Sequence, residues 1–195
     1  MPLILGAQSA TAAGGFSVAN SCRFNPGDDP TLTITSLGTP TDQNKWTFSA
    51  WVKRSRLTSD NGIMRMYAGS ATYTSLNVSG GGALEFDNKV SGSFDGRRMT
   101  SANYLDPASW YHYVAVYDSD NVTGDDRMII YVNGTRITAL GTDRDPGSGT
   151  ASGLASGNTM TVGSASTYEW GGYMAEVALC DGQAYAASDF GEFDE

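Results

Sequence analysis

Residues 110–138, WYHYVAVYDSDNVTGDDRMIIYVNGTRIT, carry the clearest periodicity in the chain. Alternate residues of an extended strand lie on opposite faces. The first segment therefore divides into two sets, which are Trp110, His112, Val114 and Val116 on one face and Tyr111, Tyr113, Ala115 and Tyr117 on the other. Both sets are apolar or aromatic, which predicts a strand that is buried on both faces inside a sandwich.

The second half of this stretch predicts two more strands. Residues 128–132 are rich in β-forming side chains, and residues 135–138 restart an extended segment. Between them lies Asn133-Gly134, a pair that accepts the positive φ angles of a type I′ turn. The whole stretch is therefore predicted to be a three-strand antiparallel meander.

The rest of the chain fits a single all-β domain. Its 195 residues include 24 glycines, and further alternating segments occur at 16–24, 46–54, 62–67, 73–78, 83–87 and 173–180. Residues 141–158 are low in apolar content and are predicted to be a long irregular loop. Short strands separated by polar or glycine-rich turns indicate a sandwich or a barrel.

Charge excludes two classes of partner. Twelve basic residues against 21 acidic ones give a formal net charge of −9. Nucleic acids and anionic membranes are bound by clustered lysine and arginine, so we expect neither partner. No apolar run approaches the roughly 20 residues that a membrane-spanning helix needs.

Residues 1–15 are small and polar, with one apolar group at Leu3, Ile4 and Leu5. They do not read as a secretion signal, since there is no basic n-region and the apolar run is shorter than the roughly 7–15 residues expected. Such an arm buries too little surface to order itself. We therefore expect an assembly arm, held by its own domain or by a neighbouring molecule, ahead of a domain at 16–195.

Several segments, taken in order, resemble a known family. They are RFNPGDDPTLTIT, WTFSAWVKR, DPASWYHYVAVYDS, MIIYVNGTRIT and GGYMAEVALCDGQAYAASDFGEFD. This order resembles the concanavalin A-like, laminin-G-like jelly rolls, and especially the version in virion proteins of marine and cyanobacterial tailed phages, where the opening ILG…NS-x-RF and the closing A-E-V-x-x-x-D-G-Q-A…FGEFD occur together. The resemblance implies an all-β sandwich of two antiparallel sheets with the first and last strands adjacent.

The resemblance also implies a role, although this fold hosts lectins, glycosidases, adhesion modules and purely structural parts. Our first expectation is a non-enzymatic virion protein, a capsid decoration or cement protein on the particle surface that is anchored by its N-terminal arm. Its partners would be the major capsid protein or further copies of itself in a homo-oligomer, assembled in the host bacterial cytoplasm. The alternative is a carbohydrate-binding adhesin that captures host glycans.

Aromatic residues near the end of the chain form a candidate glycan site. Tyr168, Trp170 and Tyr173 would make a shelf for a sugar ring if all three were exposed. The competing interpretation is that Trp170 closes one end of the core and Tyr173 begins the last strand.

The acidic loop of the central stretch is a candidate calcium site. Asp118, Asp120, Asp125 and Asp126 offer the oxygen ligands that calcium prefers, although their spacing is not that of an EF-hand. The competing interpretation is an ordinary acidic turn between two strands, and no cofactor is required.

No catalytic residue is expected. Glucanases of this fold carry E-x-D-x-E on one strand, and here Glu85 and Asp87 are followed by Lys89 in the third position. These carboxylates are predicted to be solvated charges at a strand end. The single histidine, His112, lies between tyrosines and is predicted to be a core residue.

Two cysteines, Cys22 and Cys180, do not make a disulfide framework. They fall on the two terminal strands, which the resemblance places side by side, so a bridge is conceivable. Small buried thiols are the default for a protein assembled in a reducing cytoplasm.

Overall fold

The computed structural model describes residues 20–191. The predicted arm at 1–15, with Leu3, Ile4 and Leu5, lies outside the described residues and stays a prediction.

The described chain is built almost entirely from strands. They are β1 (Cys22–Phe24), β2 (Leu32–Ile34), β3 (Lys45–Arg54), β4 (Asn61–Gly69), β5 (Thr72–Val78), β6 (Ala83–Val90), β7 (Ser93–Asn103), β8 (Tyr111–Asp118), β9 (Met128–Val132), β10 (Thr135–Arg136), β11 (Leu140–Arg144), β12 (Thr159–Val162), β13 (Ser164–Ala165), β14 (Tyr168–Glu169) and β15 (Gly172–Asp181). Short 3₁₀ turns lie at Gly124–Asp126 and Ala187–Phe190. Within residues 20–191 no helix has the length and apolarity to cross a membrane.

Two large antiparallel sheets face each other. The six-stranded sheet has the order β1-β15-β3-β8-β9-β10, and the seven-stranded sheet has the order β11-β7-β6-β5-β4-β12-β2. A small hairpin, β13-β14, stands beside β4. The predicted sandwich is confirmed, and so is the adjacency of the first and last strands, since β1 pairs with β15.

The central meander forms as predicted. Strand β8 pairs with β9, β9 pairs with β10, and Asn133 and Gly134 adopt φ angles of 49° and 79° in the turn between them. Both residues therefore take the left-handed conformation that a type I′ turn requires.

The core between the sheets is aromatic and aliphatic. Its largest fully buried apolar side chains include Trp46, Trp170, Tyr113, Tyr117, Phe48 and Phe86. Trp46 stacks on Tyr117 with ring centroids 5.7 Å apart and meets the edge of Phe86 at the same distance. Burying side chains of this size contributes about 1.5–3 kcal/mol each relative to exposing them.

Strand β8 is buried on both faces, as its sequence predicts. Tyr113, Ala115 and Tyr117 face the main core, while Val114 and Val116 form a second cluster with Ala187 and Phe190 of the last 3₁₀ turn. The cover on the outer face is therefore the C-terminal segment, which returns across the six-stranded sheet.

Of the first strand predicted at 16–24, the structure describes residues 20–24, and β1 occupies Cys22–Phe24 of them. The second difference is a prediction that was wrong, since residues 140–144, assigned partly to an irregular loop, form edge strand β11 against β7. The buried guanidinium of Arg98 explains the second difference, because Asp143 and Asp145 both ion-pair with it. Ion pairs with Arg98 hold this segment against β7. Its residues therefore do not need the alternation of apolar side chains by which strands are recognised in a sequence.

Candidate functional site

A cavity of about 450 Å³ lies on the outer face of the seven-stranded sheet, beneath the β13-β14 hairpin. We call it the outer-face cavity. Side chains from β4, β5, β6 and β7 form its floor, and the hairpin forms one wall. Its lining residues are Asp60, Arg65, Ser70, Tyr73, Ser75, Asn77, Glu85, Asp87, Lys89, Phe94, Arg97, Ala165, Ser166, Thr167 and Tyr168.

Strand alternation explains why this floor is polar. On β6, Leu84 and Phe86 point into the core, so Glu85 and Asp87 point to the opposite face. The same alternation on β4 places Met64 and Met66 in the core, and Arg65 in the cavity.

Strand register brings four polar residues into one row across the sheet. Arg65 on β4 lies opposite Ser75 on β5, Ser75 opposite Asp87 on β6, and Asp87 opposite Arg97 on β7. Neighbouring strands lie about 4.8 Å apart, so the row spans about 14 Å. A cation, a hydroxyl, a carboxylate and a second cation therefore follow one another across the cavity floor.

Asp87 and Glu85 share Arg97. The Asp87 Oδ1 lies 3.1 Å from Arg97 Nε, and a Glu85 carboxylate oxygen lies 3.6 Å from Arg97 Nη2. The Asp87–Arg97 contact is ionic and is not an aligned hydrogen bond. Burial raises the pKa of Asp87 to about 7 despite Arg97, with Glu85 adding to the rise, and burial likewise raises the pKa of Glu85.

Arg65 is held between aromatic rings. Its guanidinium carbon lies 4.4 Å from the ring centroid of Tyr73 and 4.9 Å from that of Tyr67. Both are cation–π contacts. Burial lowers the pKa of Arg65, and burial is also the main reason that the pKa of Tyr73 is raised.

Asn77 presents an unused acceptor to the cavity. Its Nδ2 donates to Ser75 Oγ at 3.2 Å, whereas its Oδ1 has no hydrogen-bond partner although the residue is only 8% exposed. A buried polar atom without a partner costs free energy, and this one faces the cavity, where a ligand group can reach it.

The hairpin wall sits close to the sheet because of Gly62. A Cβ at this position on β4 would overlap the backbone nitrogen of Ala165 and the carbonyl oxygen of Tyr168. The absence of a side chain lets the hairpin pack directly on β4. Tyr168, 44% exposed, then stands at the cavity rim.

The three predicted glycan-site aromatics are not a shelf, and this prediction needs correction. Tyr168 lies at the cavity, but Trp170 is fully buried in the core. Tyr173 belongs to the six-stranded sheet, where its ring centroid lies 6.5 Å from that of Trp110. The competing interpretation of Trp170 as a core residue is confirmed. The connection at 170–171 separates Tyr168 from Tyr173, because β14 and β15 belong to different sheets.

The four loop aspartates do not converge. Asp118 ion-pairs with Lys45 at 3.6 Å, Asp126 with Arg136 at 2.7 Å, and Asp120 accepts from Asn44 at 3.4 Å, while Asp125 is exposed. In the described part of the chain no three His, Cys, Asp or Glu side chains are grouped so as to hold a metal ion. The four aspartates are therefore not placed together as the predicted calcium site requires.

The prediction for Glu85 and Asp87 was wrong in position. They lie in the middle of β6, not at its end, and Asp87 is only 4% exposed. The strand holds polar residues on its outer face because that face lines the cavity. Alternation at 83–87 marked the two carboxylates, but no local signal indicated that Arg65, Ser75 and Arg97 would join them.

His112 and the cysteines match their simpler interpretations in part. His112 is buried, as predicted, with Nε2 2.8 Å from Ser49 Oγ and its ring stacked on Trp51.

Cys22 and Cys180 are both free. Register explains this, because Cys22 lies opposite Met174, six residues before Cys180 on β15. Cys22 is exposed, contrary to the expectation of a buried thiol.

Solved structures with the same fold have low sequence identity. A heptameric SAP-like pentraxin from Limulus polyphemus aligns with a TM-score of 0.57 and 19% identity, over 82% of this chain and 74% of the other. The Ruminococcus gnavus IT-sialidase CBM40 bound to α2,3-sialyllactose aligns at 0.53 and 13%, over 89% and 96%. Domains LG4-5 of the mouse laminin α1 chain align at 0.58 and 15%. That alignment covers 96% of this chain, which spans half of the laminin fragment.

No curated protein sequence matches the chain. The sequence profile of the concanavalin A-like lectin/glucanases superfamily, in its laminin-G form, matches residues 26–187. That range contains every strand of the sandwich except β1. The chain therefore belongs to the concanavalin A-like lectin/glucanase superfamily.

Proposed function

We propose that this chain is a non-enzymatic carbohydrate-binding domain whose ligand occupies the outer-face cavity. The observation that carries the proposal is Asn77 Oδ1, a buried acceptor without a partner in a cavity rimmed by the exposed ring of Tyr168. Ligand sites combine a concave surface with a few convergent polar groups, and this cavity does so.

The lining suits the chemistry of a sugar. A pyranose presents hydroxyl groups around its edge and C–H bonds on its faces. Asn77, Ser75 and the carboxylates of β6 offer partners for the hydroxyls, while Tyr168 offers an aromatic surface for a C–H face.

Proteins that share the fold support the proposal. Two of them were solved with sugars bound, the R. gnavus CBM40 with sialyllactose and a domain of a Geobacillus stearothermophilus arabinanase with arabinotriose. The second aligns at a TM-score of 0.55 and 15% identity over 80% of this chain. Binding by this chain rests on its own cavity.

The carboxylates support binding without hydrolysis. A glycosidase needs one carboxyl group as acid and another as nucleophile or base. Here Glu85 and Asp87 both contact Arg97, and Lys89 takes the third place of the E-x-D-x-E pattern. We expect no release of reducing sugar from any bound glycan.

A glycan array followed by calorimetry tests the proposal. Tyr168→Ala should weaken binding of the best ligand about twofold to tenfold, since an aromatic contact contributes about 0.5–1.5 kcal/mol. Tyr185→Ala, which removes another exposed tyrosine far from the cavity lining, is the matched control. Equal affinities for wild type and Tyr168→Ala would refute the cavity as the binding site.

A second candidate concerns where the domain works. The opening and closing motifs resemble those of tailed-phage virion proteins, and this favours a decoration or cement protein on the particle surface, anchored by Leu3, Ile4 and Leu5. Its partners would be the major capsid protein or neighbouring copies. Deleting residues 2–15 should abolish incorporation into particles while the circular dichroism of the domain stays unchanged. Normal incorporation of the deleted protein would exclude anchoring by the arm.

A further inference from the structure

Buried arginines in the described chain differ in what their guanidinium groups contact. Three are buried, and they are Arg54, Arg65 and Arg98. Arg54 donates to the carbonyl oxygens of Tyr104 and Ser79. Arg98 donates to the carbonyl oxygen of Met128 and ion-pairs with two aspartates.

Arg65 has no such oxygen. Among residues 20–191 no carbonyl or hydroxyl accepts a hydrogen bond from the Arg65 guanidinium, no carboxylate ion-pairs with it, and its Nε is buried without a partner. Its neighbours are the faces of Tyr67 and Tyr73. Ring faces attract the positive charge, but they do not satisfy donors that lie in the guanidinium plane.

Arg65 is therefore placed to receive a ligand. The side chain is only 9% exposed, its Nε is buried without a partner, and no carboxylate of the described chain neutralises its charge. The side chain lines the outer-face cavity, so an anionic oxygen that enters the cavity meets an oriented cationic donor whose remaining contacts are with aromatic rings. Arginine pairs with carboxylate and sulfate-like groups by two parallel hydrogen bonds.

We propose that the outer-face cavity selects an acidic saccharide, with the carboxylate or sulfate ester of the sugar bound by Arg65 and a hydroxyl of the sugar donating to Asn77 Oδ1. This inference rests on the proposed carbohydrate function and names its ligand class.

The acidic residues of the cavity orient such a ligand and do not exclude it. Glu85 and Asp87 are engaged with Arg97, and Asp60 Oδ1 accepts from the backbone N–H of Gly80 at 2.9 Å. Arg65 lies two strands from Asp87 with Ser75 between them, a separation of about 10 Å. Repulsion by the carboxylates therefore directs the anionic group to the Arg65 end and the neutral hydroxyls toward β6.

The test is a glycan array that contains neutral, uronic- or sialic-acid and sulfated saccharides, with calorimetry on the best ligand of each class. Arg65→Gln removes the charge and keeps a similar length. Arg65→Lys keeps the charge but lacks the two parallel N–H donors of the guanidinium. Arg23→Gln is the matched control, because Arg23 is an exposed arginine on β1 of the six-stranded sheet, outside the cavity lining. Thermal melting of each variant checks the fold.

Acidic ligands should dominate the array, and Arg65→Gln should weaken them about tenfold to a hundredfold, as expected for a charge-assisted bond. Arg65→Lys should retain part of the affinity, and it also serves as the test variant if Arg65→Gln does not fold. Arg23→Gln should change affinity less than about twofold. The class of glycan whose affinity falls in Arg65→Gln, carboxylated or sulfated, identifies the anionic group that Arg65 binds.

Three results would contradict the inference in different ways. If neutral glycans bind best and Arg65→Gln leaves their affinity unchanged, the acidic ligand is excluded and the carbohydrate function stands. If acidic glycans bind but Arg65→Gln has no effect, the assignment of Arg65 is wrong. If no glycan of any class binds, the proposed function falls, and this inference falls with it.

Discussion

Asp87 on β6 lies directly across the sheet from Arg97 on β7, with its Oδ1 3.1 Å from the guanidinium Nε. The same arginine also contacts Glu85. One arginine therefore pairs with two carboxylates on the buried cavity floor. For Asp87, the effect of burial, which raises the pKa, is larger than the attraction of Arg97, which lowers it. The pKa of Asp87 rises to about 7 as a result.

This raised pKa predicts an unusual pH dependence of stability. The folded state binds the Asp87 proton more tightly than the unfolded state, where the ordinary pKa of 3.8 applies. The contribution is therefore fully present below about pH 4 and is lost as the pH rises through about 7. Urea unfolding from pH 4.5 to 8.5 should show a wild-type loss of roughly 3 kcal/mol that Asp87→Asn lacks.

Asp125→Asn, at an exposed loop position, is the control for this measurement and should follow the wild-type profile. Parallel profiles for wild type and Asp87→Asn would show that Asp87 does not titrate between its unfolded value and about 7.

Gly62 is predicted to matter for binding through the hairpin wall. Gly62→Ala would push against the backbone of Ala165 and Tyr168, so the hairpin must move away from β4. We expect a stability loss of about 1–3 kcal/mol and weaker binding of the best array glycan. Gly69→Ala, on the same strand with open space around it, should change neither quantity much. Retention of full affinity by Gly62→Ala would show that the wall is not needed.

The Tyr117 hydroxyl links both sheets to the loop before β12 by buried hydrogen bonds. Its hydroxyl donates to the carbonyl oxygen of Thr150 at 2.7 Å and accepts from Asn88 Nδ2 at 3.0 Å. Tyr117→Phe leaves both groups without this partner, so chemical denaturation should report a loss of about 1–3 kcal/mol. Tyr185→Phe, at an exposed tyrosine, should lose less than about 0.5 kcal/mol. Similar losses for the two variants would argue against the hydrogen bonds of Tyr117 as the cause.

His112 can be titrated directly because it is the only histidine in the chain. Burial lowers its pKa from the ordinary 6.5. Proton NMR of its ring Cε1–H should therefore give a midpoint below 6.5. A folded-state pKa below the unfolded one means that this site favours folding above about pH 6.5 and opposes it as the solution is acidified. A midpoint at or above 6.5 would mean that the ring is solvated or paired with an anion.

Local pattern predicted the parts of this protein that depend on neighbouring residues. Alternation in 111–118 predicted a strand with two apolar faces, and Asn133-Gly134 predicted the turn that follows β9. Both predictions succeed because the period of a strand and the φ angles of a turn are properties of a few consecutive residues.

The site could be predicted only in fragments. Glu85 and Asp87 were recognised as a pair on one strand, but their place at mid-strand, beneath a hairpin built 80 residues later, was not. The sequence is consistent with Trp170 both as a sugar platform and as a core residue. Trp170 lies in the two-residue connection between β14 and β15, which belong to different sheets, and its complete burial decides for the core.

The sequence by itself therefore determined the all-β character of the chain, its turns and the two faces of its central strand. Only the tertiary structure decided which face of β4, β5, β6 and β7 became the cavity floor and which residues meet there. The physical reason is that alternation separates two faces without saying which one is buried, whereas Arg65, Ser75, Asp87 and Arg97 become neighbours through strand register. Register is set by the pairing of strands across the whole sheet. Only when that pairing is known can one see that Arg65 lies in the cavity without an anionic partner.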